Sequence, residues 1–148
     1  MAEKTYKPIG GVVAAELFPV GGLHSMQEAV AGEGISVELE DDSSSYEELF
    51  SVKEGLVSVQ HTLTLCAARN KAAAWLDADF MQRCAVEGVV ARVEMATGEV
   101  LWIGWSKRFQ FEQALRLKQL QFLSGKELNF PPRITLTLTS CDVQSAIV

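Results

Sequence analysis

The clearest pattern in the chain is strict alternation. Over residues 57–67, Val57, Val59, His61, Leu63, Leu65 and Ala67 share one face of an extended segment, while Ser58, Gln60, Thr62, Thr64 and Cys66 share the other. A two-residue period of this kind predicts a strand with one apolar and one polar face. Near the C-terminal end Ile134, Leu136 and Leu138 alternate against Thr135, Thr137 and Thr139, and Pro131 and Pro132 fix where that strand starts. Residues 35–40 repeat the pattern, with Ile35, Val37 and Leu39 opposite Ser36, Glu38 and Glu40. The Gly- and β-branched-rich run 9–18 reads as an opening strand that turns at Pro19-Val20-Gly21-Gly22. Asp41-Asp42-Ser43-Ser44-Ser45 compete for backbone hydrogen bonds through short side chains, which predicts a long hairpin tip. Short strand material follows over 48–52 and is interrupted at Lys53-Glu54-Gly55.

One segment carries a helical period instead. Leu76, Phe80 and Cys84 recur every fourth residue with Ala73 beside them, and Asn70 suits an N-cap, so a helix is expected over 71–83. Residues 86–95 and 99–106 form a hairpin around Ala96-Thr97-Gly98. Its second arm, Val100-Leu101-Trp102-Ile103-Gly104-Trp105, is apolar on both faces and needs cover on both, from a helix, the sheet core or another subunit. Residues 107–117 fit two patterns. Phe109, Phe111, Leu115 and Leu117 make a strand face, preferred for the first half; Phe111, Leu115, Lys118 and Phe122 make a helix stripe. Residues 124–132 read as loop. The order predicts a mainly β protein with one helix (α+β), an antiparallel β-sandwich or distorted barrel with the helix packed at its side. The 148 residues suit a single domain over 1–148.

Charge narrows the partners. A formal charge of −6 argues against specific nucleic-acid binding and against an anionic membrane surface. The opening residues lack a basic stretch followed by an apolar core, and Glu16 and Pro19 break the run 9–20, so neither a signal peptide nor a membrane span is expected. Cys66, Cys84 and Cys141 are widely spaced and odd in number, which reads as reduced, buried thiols in a cytosolic protein.

Candidate chemistry fails residue by residue. Gly125-Lys126 suggests a phosphate loop, but Leu120 stands where the motif needs Gly and Glu127 where it needs Ser or Thr. Gly32-Glu33-Gly34 opens a dinucleotide fingerprint that Val37 breaks. Neither His24 nor His61 has a zinc-ligand neighbour at the usual spacing. His61, on an apolar strand face, reads as a core or interface residue. Ser106 lacks the nucleophile elbow, with Arg108 at its second Gly position. Asp77 and Asp79 diverge on a helix, and Asp41 and Asp42 sit outside any Ca²⁺-loop pattern. No catalytic residue, metal ligand or cofactor is therefore expected. The densest aromatic region, Trp102, Trp105, Phe109 and Phe111, reads as core or as interface, with one indole inward and the other toward a partner. Arg108, with Lys107, Arg116 and Lys118, is placed to pair with an acidic neighbouring subunit.

Four stretches within residues 89–140 carry a family resemblance: Val89-Val90-Ala91-Arg92-Val93, Glu99-Val100-Leu101-Trp102-Ile103-Gly104-Trp105-Ser106, Phe111-Glu112-Gln113-Ala114-Leu115-Arg116-Leu117, and Ile134-Thr135-Leu136-Thr137-Leu138-Thr139-Ser140. Their pattern resembles structural proteins of bacterial prophages, and the coarse element order is similar to that of phage tail-tube proteins. The resemblance implies a small β-sandwich or barrel, a helix at its side and a long polar hairpin, with six copies closing into a ring and rings stacking into a tube. It also implies contact through sheet edges and a hairpin tip near Asp41, Asp42 and Tyr46. The expected function is a non-enzymatic structural subunit that forms a homo-oligomeric ring and joins other tail proteins. Such a subunit is cytoplasmic in a bacterial host and becomes a virion component. A tail terminator or a head–tail joining protein fits the same pattern. Two other classes stay open: a ligand-binding β-domain with a pocket between sheet and helix, and an enzyme whose carboxylates meet only on folding.

Overall fold

The computed structural model describes residues 11–20, 34–39, 44–68, 76–105, 113–123 and 132–142. The described strands are β1 (Val12–Pro19), β2 (Ile35–Val37), β3 (Ser45–Lys53), β4 (Leu56–Ala68), β5 (Val89–Met95), β6 (Val100–Ile103), β7 (Arg116–Leu123) and β8 (Arg133–Asp142). Among the described residues one helix, α1 (Ala78–Val86), lies between β4 and β5. The strands form two four-stranded sheets, β2-β1-β5-β6 (sheet A) and β3-β4-β8-β7 (sheet B), antiparallel throughout. The arrangement is sandwich-like, α+β and mainly β.

Alternation in the sequence becomes cross-strand rows in the core. Leu17, Ala91 and Ile103 lie side by side across sheet A, as do Ala15, Val93 and Leu101. Leu63 and Leu138, and Leu65 and Leu136, form the facing rows of sheet B. All ten side chains are buried, and they pack into one cluster with Phe80 and Cys84 of α1. The hydroxyl-bearing partners Thr62, Thr64, Thr135, Thr137 and Thr139 lie on the outer face of sheet B, where they stay partly accessible.

Hydrogen bonds join the sheets at two seams. Val89 and Leu115 exchange a pair at 2.7 and 2.9 Å, and the Val12 amide donates to the Ser44 carbonyl at 3.0 Å. Ser44 is buried, and its Oγ accepts from the Cys66 amide at 2.9 Å. Ser44→Ala strands that buried donor, so a loss of about 1–3 kcal/mol in unfolding free energy is expected in a urea titration.

Several expectations need correction. The segment from β2 to β3 passes from sheet A to sheet B, so it is no hairpin tip, and Tyr46 lies within β3, paired with Leu63. The long hairpin is β3–β4, which turns at Glu54 and Gly55 with φ of 53° and 80°. Positive φ at both central positions matches the twist of flanking strands. Leu76 and Asp77 are not helical: the Asp77 carboxylate accepts from the Phe80 amide at 2.7 Å and starts α1 there. Asn70 and residues 71–75 lie outside the described residues. The helix runs on to Val86, so the following strand begins at Val89. Of the 111–122 stripe, Lys118 and Phe122 lie in strand β7 and Leu115 in an isolated bridge to Val89, with Lys118 bulged between Leu117 and Gln119, and residues 107–112 lie outside the described residues. Cys66 and Cys84 are buried, but Cys141 is exposed, on the solvent face of sheet B.

Candidate functional site

The β3–β4 hairpin outruns its sheet. On its core face the paired positions are Tyr46 with Leu63, Glu48 with His61, Phe50 with Val59, and Val52 with Val57. The neighbouring strand β8 ends at Asp142, opposite Val59. Beyond that point, among the described residues, two strands continue without a third. Exposure changes there at once: Val59 is 1% exposed, Val57 48%, Phe50 51% and Val52 71%. The apolar pattern that fills the core thus continues into solvent as an arm. Its other face adds Leu49 and Leu56, exposed by 55% and 75%. Isolated exposed aliphatics are common, but five large apolar side chains on one hairpin are a concentration.

A buried polar group anchors the base of this arm. The Tyr46 hydroxyl donates to Glu48 Oε2 at 2.5 Å and lies 2.5 Å from His61 Nδ1. With its proton committed to Glu48, the phenol oxygen accepts from His61, which fixes the Nδ1–H tautomer. The Glu48 carboxylate lies 3.8 Å from the same nitrogen, and the His61 and Glu48 side chains are 6% and 3% exposed. The Tyr46 and His61 rings are nearly parallel, 14° apart, at 6.1 Å. Burial first, then the hydrogen bond and charge of Glu48, hold the Tyr46 phenol well above its ordinary pKa. The network therefore has no ionised phenol to act as a nucleophile near neutral pH. It holds β3 to β4 where the arm leaves the body. Beside it, Tyr46, Glu48 and Phe50 face Met95, Glu99 and Leu101 across an open cleft of about 310 Å³.

The predicted site residues fare unequally. Trp102 is half-buried, its ring centroid 5.5 Å from that of Phe18 on the outer face of sheet A. Leu101 and Ile103 sit in the core, and Trp105 is half-buried. The two-faced ribbon is thus largely covered by its own chain, and the surplus apolar surface expected there lies on the β3–β4 arm instead. Tyr46 joins Glu48 and His61, a grouping the spacing did not reveal. Asp41, Asp42, Arg108 and Phe109 lie outside the described residues. Neither this cleft nor a second, beside Gln113 and Arg116, is lined by Phe80 or Trp105, where a pocket between sheet and helix was expected.

Among the described residues no group of three or more His, Cys, Asp or Glu side chains is placed to hold a metal ion, and no helix is long and apolar enough to cross a membrane. The Cys84 thiol is pushed up to about 11 by burial, against a smaller opposing effect of Arg83. In the unfolded chain this thiol ionises near 9.0, so above that pH the unfolded state sheds a proton the folded state keeps. Stability present below pH 9 is then lost as pH rises toward 11, by about 2 kcal/mol, and Tyr46 adds to the loss from pH 10 upward. Urea titrations at stepped alkaline pH test this, with a shallower decline expected in Cys84→Ala. No family model, curated protein or solved structure matches the chain.

Proposed function

We propose that the chain is a non-enzymatic structural subunit of a phage-like tail or tube assembly, self-associating through its hairpin arm and its sheet edges. The observation that carries this reading is the arm: Phe50, Val52 and Val57 continue a core-facing pattern yet stay exposed. A second copy offers apolar surface of the kind that pattern lacks. The two antiparallel sheets with a helix agree with the coarse fold that the resemblance to tail-tube proteins implies, whereas the long hairpin is a different one from that expected and is apolar where a polar one was expected.

Sheet B adds a topological argument. Its edge strands are β3 and β7, and three antiparallel pairings separate them, so the two edges run in opposite directions. A copy related by rotation can therefore set its β3 against the first copy's β7 and continue the antiparallel order. Such a contact is head-to-tail and closes into a ring where the rotation allows. Among the described residues neither edge pairs with a further strand, and edges of this kind invite addition. Sedimentation over a wide concentration range, with electron microscopy of the purified protein, tests the proposal. Rings, tubes or concentration-dependent oligomers are expected. A chain that stays monomeric at its highest soluble concentration refutes it.

A further inference from the structure

The cleft beside the arm has polar groups that are already satisfied. Tyr46 and Glu48 line it and are hydrogen-bonded to each other at the base of the arm. Its apolar lining is Phe50 of the arm itself, with Met95 and Leu101 of sheet A. Thr97 and Glu99, at the turn between β5 and β6, are exposed. An aliphatic-lined cavity of about 150 Å³ takes one benzene-sized guest, so a cleft of about 310 Å³ has room for a pair of aliphatic side chains.

We infer that this cleft is the seat for the arm of a second copy, with Val52 and Val57 entering between Phe50, Met95 and Leu101. The inference rests on the assembly reading above in one respect, that copies meet through the arm. Val52 and Val57 are direct cross-strand partners, 71% and 48% exposed, so they lie side by side and enter together. A molecule does not fill its own cleft in this way. Phe50 is one wall of it, and Ser51, Val52 and Lys53 carry the paired ribbon onward by about 10 Å. Charge permits the approach. The whole chain carries −6, yet residues 49–59 hold one cation, Lys53, and one anion, Glu54. The arm therefore brings no net charge to the cleft carboxylates, and Lys53, in the last pair of β3, is the group that can answer Glu99. Because the cleft opens beside each copy's own arm, seating one arm brings the partner's arm to the first cleft. The exchange is isologous, about a two-fold axis. It joins copies in pairs, the unit that edge-to-edge contacts would then extend.

Two sets of full-length variants test the seat. Thr97→Trp fills the cleft with an indole and leaves every arm residue in place; its thermal melt is compared with that of the unmodified chain. Sedimentation should show association weakened by roughly tenfold or more. Val52→Cys and Thr97→Cys, each with Cys141→Ser to remove the exposed native thiol, are mixed and treated with a short bis-maleimide. A size tag on one of them separates the cross-linked hetero-pair from the homo-pairs, and the hetero-pair should be the commoner. If Thr97→Trp melts lower than the unmodified chain, the cross-linking alone decides. If the unmodified chain associates but a normally folded Thr97→Trp associates equally well, or the hetero-pair is no commoner than the homo-pairs, the cleft is not the seat while the assembly reading stands. If the unmodified chain does not associate at all, both fall.

Discussion

Replacing Phe50, Val52, Leu56 and Val57 together by Ser is expected to leave a folded monomer and to abolish assembly. These side chains are 51%, 71%, 75% and 48% exposed, so the isolated fold gains little from them. An interface that covers them recovers the remaining apolar burial, at about 25 cal/mol per Å². Partial burial of four such groups amounts to roughly 3–5 kcal/mol per arm, or two to four orders of magnitude in the dissociation constant. Sedimentation should therefore show a monomer at concentrations where the proposed assembly of the unmodified chain is seen. The melting temperature of the monomer should change by no more than a few degrees, since surface substitutions shift stability little. Unchanged assembly in the quadruple variant would mean that the arm is not the contact.

The largest single-residue loss of stability is expected from Gly104→Ala. Gly104 has φ of +100°, a region L side chains rarely adopt. An added Cβ would lie 2.9 Å from the Val89 carbonyl oxygen and 3.1 Å from the Leu115 amide nitrogen. Those are the two atoms that bond to each other at 2.9 Å across the seam. The methyl group thus strains its own backbone and pushes apart the pair that joins β5 to the chain before β7. Strain of about 1–3 kcal/mol and a buried hydrogen bond of similar cost put the expected loss above roughly 3 kcal/mol. Gly98→Ala is the matched control: φ there is +93°, but nothing lies within 4 Å of the new carbon. It should cost only the backbone strain, about 1–3 kcal/mol. Equal losses in the two variants, measured by urea unfolding, would show that the seam does not matter.

The legible parts of the chain were those where one face is buried and the other wet. Leu63 and Leu65 against Thr62 and Thr64, and Leu136 and Leu138 against Thr135 and Thr137, fix strand and face together. The β5–β6 hairpin was legible because Gly98 marks its turn. Two features were not. The start of this helix was not legible because Asn70 and Asp77 are equally good caps by type, and it is Asp77 that accepts from the Phe80 amide. Which strands share a hairpin was also hidden. Asp41-Asp42-Ser43 looks like a turn between neighbours, yet Val37 and Ser45 belong to different sheets, and turn chemistry does not encode that crossing. The arm itself is invisible to patterning. Val52 and Val57 alternate like core residues, and only their exposure, past the last described pairing of β8 at Asp142, shows that they lie outside the core. Tyr46, Glu48 and His61 each sit on a readable face, but their convergence needs the register of β3 on β4.

The order in which the strands leave the ribosome has its own consequence. β1 finds its long partner only when β5 has been made, as in the pairing of Pro19 with Val89, and β4 waits for β8, as in that of Ala67 with Ile134. The β3–β4 hairpin closes on itself and can form within microseconds of its synthesis. For much of translation it is then a greasy ribbon with its inner side bare, exposed to identical ribbons on neighbouring nascent chains. Sheets closed by such distant segments fold slowly. Yield of soluble protein should therefore depend on expression rate and temperature more steeply than the stability of the finished fold suggests, and slow production in the cold should favour productive folding over aggregation.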